Sequence, residues 1–215
     1  MLERITRREE AELFIAWIAI SLSFALIMIA PYGVLQLSPK VTPLDVIVYF
    51  GVALLTVGIG FILHEMAHKF SAIHFGYWAE FKKDSVMLVV AIAMAALVGI
   101  VFAAPGATMI YTPAGHGLSR RENGIISAAG PAVNLLLCIP FAALILIGGG
   151  IASPLLAFVG LSGIRINAML AFFNMLPVSI LDGKKVLAWN PAVFVVLIAT
   201  SVVILWGSLS SLSVL

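Results

Sequence analysis

Two histidines four residues apart, with a glutamate directly after the first, close a long apolar run: Phe61-Ile62-Leu63-His64-Glu65-Met66-Ala67-His68, following Val46 to Leu63. On a helix, residues at this spacing share a face, with Cβ atoms roughly 5–6 Å apart. His64 and His68 can therefore turn one imidazole each toward a single Zn²⁺. Glu65 stands beside them, placed to take a proton from a metal-bound water. The pattern fixes only three positions and also arises by coincidence, so its setting matters. Ionisable side chains are costly in an apolar run that spans a membrane, and a cluster of them there marks function by default.

That setting is membranous. Of 215 residues, 62% are hydrophobic and 10% are charged, against about 25% charged in a soluble domain. The chain is expected to be an integral, multi-pass membrane protein without a sizeable soluble domain. Its basic residues come in scattered pairs without interleaved aromatics, so nucleic acid is not an expected partner. The single cysteine, Cys138, lies in an apolar run and reads as a packing residue. No cleavable signal peptide is expected, because no small-residue cleavage site follows the first apolar run.

Several elements must position the histidines. Residues 1–12 are charged and polar, read as a surface helix or tail. Apolar runs of spanning length follow at 13–30, 44–72, 124–149, 155–176 and 191–215. His74-Phe75-Gly76-Tyr77 reads as the exit from the histidine helix. A polar patch, Glu80 to Asp84, leads into the uncharged stretch Ser85 to Tyr111. Ala103-Ala104-Pro105-Gly106 must interrupt any helix there. Thr112 to Asn123 is a polar loop. The expected fold is an all-α polytopic membrane protein with about five to six transmembrane helices. It forms a single membrane-embedded domain over residues 1–215, with a catalytic core at about 46–185.

Charge sets the expected topology. Arg4, Arg7 and Arg8 place the N-terminus in the cytoplasm, and Lys69, Lys82 and Lys83 place the far end of the second span there too. A single crossing by Ser85 to Tyr111 would put Arg120, Arg121, Lys184 and Lys185 outside, with Asp182 on the wrong side of the bilayer from the histidines. A re-entrant or hairpin element, broken near Pro105-Gly106, keeps every basic residue but Lys40 and Arg165 cytoplasmic. It also leaves the site near the cytoplasmic side. Irregular backbone at membrane depth is tolerated where protein buries it or where it lines a cavity.

A catalytic zinc takes three protein ligands and keeps one open position. His74 follows His68 at metzincin spacing, but Ser71 stands where that motif needs glycine, so His74 reads better as an interfacial residue. His116 lies in a Gly-rich polar loop and reads as solvated. Asp182 is the best candidate. Pro177, five residues before it, interrupts the preceding helix and lets the chain bend inward. Sequence physics alone leaves Asp182 open between a metal ligand and an interfacial cap beside Lys184 and Lys185.

Together these motifs resemble the site-2 protease family of intramembrane zinc metalloproteases. The resemblance rests on His64-Glu65-Met66-Ala67-His68 in an apolar helix and Ala129-Gly130-Pro131 opening a later span. Asn174-Met175-Leu176-Pro177 running into Leu181-Asp182-Gly183 completes it. It implies that His64, His68 and Asp182 bind one Zn²⁺ per chain and that Glu65 is the general base and acid. It also implies that Asn174 lies near the site, contacting substrate backbone or oxyanion; a helix–helix hydrogen bond is the other reading. The implied activity is hydrolysis of peptide bonds in transmembrane-helix substrates. The implied partners are a transmembrane protein substrate and the lipid bilayer. Membrane-embedded strands that present substrate are a further implication for the region between the zinc helix and the Gly-Pro span. The competing class is a membrane metal-binding or ion-transport protein using the same His/Asp cluster. Arg165 is read as structural, and Gly58 and Gly60 as sites of close helix approach or bending.

Overall fold

The computed structural model describes residues 5–101, 105–113, 117–178 and 180–210. Arg4, Ala103-Ala104, His116 and the last five residues of the C-terminal apolar run lie outside that set. The chain divides into two compact units, Met1–Ile62 with Glu80–Met109 and Leu63–Ala79 with Ile110–Leu215. Five helical segments are long and apolar enough to cross a membrane: Arg7–Gln36, Pro43–His74, Arg120–Gly150, Pro154–Asn174 and Pro191–Ser210. The architecture is helical with two short strands, as the sequence predicts.

In the first unit, α1 (Arg7–Ile29) starts at an N-cap, Thr6, whose hydroxyl accepts from the Glu9 amide. From Arg7 on, the charged run read as a surface helix or tail forms the first turns of the spanning helix itself. The reason lies in two of its carboxylates. Glu9 Oε1 accepts from the Phe81 amide at 2.9 Å and Glu12 Oε2 from the Lys83 amide at 3.1 Å. Both amides belong to β1 (Trp78–Lys83), so α1 supplies one edge of that strand with acceptors. An unmet buried amide costs about 1–3 kcal/mol. A second helix of the first unit, α2 (Pro43–Ala53), opens with a Thr42–Asp45 capping box and a proline at its first turn. A π-helical turn over Leu54–Gly58 follows, and Trp17 Nε1 donates to the Leu54 carbonyl at 3.1 Å. The chain continues as α3 (Ile59–His74).

The stretch expected to dip and return does so. α4 (Ser85–Val98) is capped by Asp84, whose carboxylate accepts from the Val86 and Met87 amides. It ends at Gly99 in the left-handed region, packed against the Pro31 carbonyl. Fourteen residues rise roughly 21 Å, short of a hydrocarbon core of about 30 Å. The Asp84 amide then donates to the Pro105 carbonyl at 3.0 Å. The chain therefore returns to within one hydrogen bond of where it left. The second strand, β2 (Gly106–Tyr111), pairs with β1 as a two-stranded sheet.

In the second unit, α5 (Arg120–Gly150) begins with a Ser119–Glu122 capping box and runs through both Pro131 and Pro140. The sequence places this span at 124–149, and the helix covers it. It tolerates the prolines as interior residues, each removing one backbone bond. Next comes α6 (Pro154–Asn174), followed by a bend through Pro177 and then α7 (Asp182–Trp189) and α8 (Pro191–Ser210). α5 packs along α6, and α7 lies on α5, with the Trp189 side chain against Gly124. Arg165 gains a definite role here. Its Nε and Nη2 donate to the Ser208 carbonyl of α8 at 3.1 and 2.7 Å.

Candidate metal centre

All three expected ligands come from the second unit. His64 and His68 sit one turn apart on α3, and Asp182 is the first residue of α7. Asp182 reaches them because α6 stops at Asn174 and the chain turns before α7. Gly183 makes that turn possible: a Cβ there would lie 2.1 Å from the Met175 carbonyl oxygen. All three side chains are buried. His64 Nε2 and His68 Nε2 are 3.0 Å apart, and Asp182 Oδ2 lies 3.5 Å from the first and 3.1 Å from the second. Donors held at roughly 2.0–2.1 Å from a tetrahedral zinc stand about 3.3–3.4 Å from one another. The three separations, 3.0, 3.1 and 3.5 Å, lie on either side of that spacing. Two imidazole nitrogens and a carboxylate oxygen are also a donor set that catalytic zinc uses. The residues fit the ion.

Burial alone would raise the Asp182 carboxyl pKa, but His68 and His64 beside it hold it well below the usual carboxylate range. A ligating carboxylate must be ionised, and this direction favours that form. Lys185 Nζ lies 3.7 Å from its other oxygen. Asp182 is thus a member of the histidine cluster, and its approach to the flanking lysines is the weaker contact.

The backs of the rings are also held. His68 Nδ1 donates to the Ile126 carbonyl at 2.8 Å, and His64 Nδ1 is hydrogen-bonded to Asn134 Oδ1. Asn134 Nδ2 donates to Asn167 Oδ1 at 2.9 Å, and Asn167 Nδ2 to the Gly163 carbonyl at 2.9 Å. Metal-bound histidines usually have such partners on their second nitrogen. The front is close-packed: a Cβ at Gly130 would lie 2.5 Å from His68 Nε2 and 2.6 Å from His64 Nε2. Ala129-Gly130-Pro131 thus brings backbone against the ligand atoms.

Glu65 is buried, with 8% of its surface exposed, directly after His64. Asn174 ends α6 and donates its Nδ2 to the Leu170 carbonyl at 2.9 Å, a bond within its own helix. His74 packs its ring edge on Phe75, outside the cluster, and His116 lies outside the described residues. The sequence reading missed the Asn134–Asn167 pair; its only trace there is an amide residue in each of two apolar spans. Lys69, used in the charge argument as a cytoplasmic marker at the end of the second span, is fully buried in α3, with Nζ 6.0 Å from the centre of the Trp78 ring.

Set against known proteins, the chain is 40% identical over 150 residues to a protein of Methanocaldococcus jannaschii described as a "Putative zinc metalloprotease", covering 70% of this chain and 76% of that relative. The chain belongs to this zinc metalloprotease family. No family model matches it, and no solved structure does. The family's description agrees with the His64, His68 and Asp182 cluster, which was located without it.

Proposed function

We propose that the chain is a zinc-dependent intramembrane endopeptidase of the site-2 protease type, cutting peptide bonds within transmembrane-helix substrates. One observation carries the reading. Nε2 of His64, Nε2 of His68 and Oδ2 of Asp182 lie within 3.5 Å of one another, with both histidines on a helix long and apolar enough to cross a membrane. The family relationship supports the same chemistry.

His64, His68 and Asp182 would hold one zinc per chain. When bound, zinc supplies a Lewis acid that polarises a carbonyl and makes water acidic near neutral pH. Glu65 then serves as the proton carrier. Its buried carboxylate accepts a proton from the attacking water and returns it to the leaving amine. Burial strengthens that step, since charges interact more strongly away from bulk water. Asn174 is proposed as a substrate contact: Leu170 holds one amide hydrogen, which leaves its oxygen and second hydrogen for a substrate backbone. Helical amides are already bonded internally, so the substrate helix must unwind locally before cleavage. The basic residues favour a cytoplasmic N-terminus and a site near the cytoplasmic side.

The test compares wild type, Glu65→Gln and chelator-treated wild type in detergent on a transmembrane model substrate, with bound zinc measured in each. Cleavage by untreated wild type alone, with zinc retained in Glu65→Gln, is expected. Stoichiometric zinc without cleavage would favour a metal-binding or ion-transport protein. Wild type that binds no zinc would refute the reading.

A further inference from the structure

The two histidines are anchored differently. His68 Nδ1 faces the Ile126 carbonyl, a backbone acceptor that cannot turn over. His64 Nδ1 faces a side-chain amide, and an amide presents either its oxygen or its NH₂ depending on a half-turn. Only the first orientation lets Nδ1 carry the hydrogen and leaves Nε2 with its lone pair toward His68 and Asp182.

The orientation is decided two residues further back. The Gly163 carbonyl can only accept, so Asn167 must turn its NH₂ to it, and does so at 2.9 Å. Asn167 Oδ1 then faces Asn134 and can only accept, which draws Asn134 Nδ2 to it at 2.9 Å. Asn134 Oδ1 is left for His64. Reversing Asn134 alone would set two amide oxygens face to face. Reversing both would set Asn167 Oδ1 against the Gly163 carbonyl. Asn134 and Asn167 are fully buried, so no solvent relieves either arrangement.

We infer that Asn134 and Asn167 form a directional amide relay that fixes His64 as its Nδ1–H tautomer, with Asn134 as the positioning residue and Asn167 as the lock on its orientation. Neither touches substrate; they act through His64. The inference rests on the metalloprotease reading for its use, but the tautomer itself does not depend on it.

Two measurements on the full chain in detergent test it. The first is the ¹⁵N–¹H spectrum of histidine-labelled, chelator-stripped wild type, with His64 assigned by difference from His64→Gln. The relay requires a protonated Nδ1 and an unprotonated Nε2; the reverse pattern overturns it. The second is zinc affinity by competition with a chromogenic chelator. Asn134→Leu is expected to weaken binding about 10–100-fold. Asn134→Asp keeps an acceptor for Nδ1 but sets a carboxylate oxygen against Asn167 Oδ1, the arrangement the relay excludes, so it is expected to weaken binding as well. Asn167→Leu should fall between Asn134→Leu and wild type and show mixed His64 tautomers. Asn134→Leu with wild-type affinity, or Asn134→Asp with wild-type affinity, overturns the relay. If a variant fails to fold, the wild-type spectrum alone still decides. A wild type that shows the Nδ1–H pattern but binds no zinc would refute the proposed function and leave the relay standing.

Discussion

Gly130→Ala puts a single methyl group where the ligand atoms are most crowded. The added Cβ would meet His68 Nε2 at 2.5 Å, His64 Nε2 at 2.6 Å and His64 Cε1 at 2.7 Å, against 3.4 Å for the start of ordinary contact. Each ring would have to recede by about 0.7–0.9 Å to regain van der Waals separation. Neither has room to do so cheaply: His68 is tied at 2.8 Å to the Ile126 carbonyl and His64 to Asn134. The three-atom cluster should therefore open, and a misplacement near 1 Å costs on the order of 100-fold in reactions that depend on geometry. We expect zinc affinity to fall about 10–100-fold, or roughly 1.4–2.7 kcal/mol, with cleavage falling at least as far. The control is Gly149→Ala on the same helix, where nothing lies within 4 Å of the new atom. There the better helix propensity of alanine, up to about 1 kcal/mol, acts alone. Chelator competition gives the affinities, and thermal melting in detergent shows whether each variant is folded. A folded Gly130→Ala chain with wild-type zinc affinity would refute the close approach argued for α5.

Other perturbations reach the site or its frame from elsewhere. In Gly183→Ala the new Cβ meets the Met175 carbonyl oxygen at 2.1 Å, so the turn must shift and carry Asp182 with it. Zinc affinity should drop roughly tenfold or more, measured by the same competition. Saturating zinc at about 100 times its Kd should stabilise wild type by roughly 2.7 kcal/mol, and a melting curve with chelator should lose that increment. A His64→Ala/His68→Ala chain should show no such difference. Glu9→Ala strands the Phe81 amide that Glu9 Oε1 now serves. It should destabilise the first unit by about 1–3 kcal/mol, with faster hydrogen exchange at Phe81, whereas Glu9→Gln keeps an acceptor oxygen and should exchange slowly. Arg165→Leu removes two charge-assisted bonds to the Ser208 carbonyl. It should cost about 1–2 kcal/mol in thermal melts, the loss being partly offset because a half-buried charge is no longer desolvated.

The parts legible in the sequence were those whose information is local or strongly periodic. His64, Glu65 and His68 declare themselves by spacing on one helix, and the five spanning helices by unbroken apolar length. Asp182 was legible only in part, because its inward turn depends on where α6 stops and on how closely Gly183 meets Met175. The closeness of Asp84 and Pro105 was foreshadowed by charge parity, whereas the strands were implied only by the family resemblance: residues 106–111 show no clear alternation of polar and apolar side chains. Two features were hidden. Nothing in the order of residues 7–12 reveals that Glu9 and Glu12 face the amides of a strand about 70 residues away. Asn134 and Asn167 lie 33 residues apart, and an amide relay acquires direction only once a third group, the Gly163 carbonyl, is placed.

The bond between the Asp84 amide and the Pro105 carbonyl also bears on how the chain is inserted. A segment that leaves and re-enters at one point adds no net crossing, so it is silent in the left-right count of membrane biogenesis. Everything from β2 onward would take its orientation from the first two spans and its own basic residues. Replacing residues 85–104 with a short flexible linker should then leave reporter enzymes fused after Asn123 or Asn190 on the same face as in the intact chain. Variation within this excursion would be free to reshape the protein locally without inverting the helices that carry Asn134, Asn167 and Asp182.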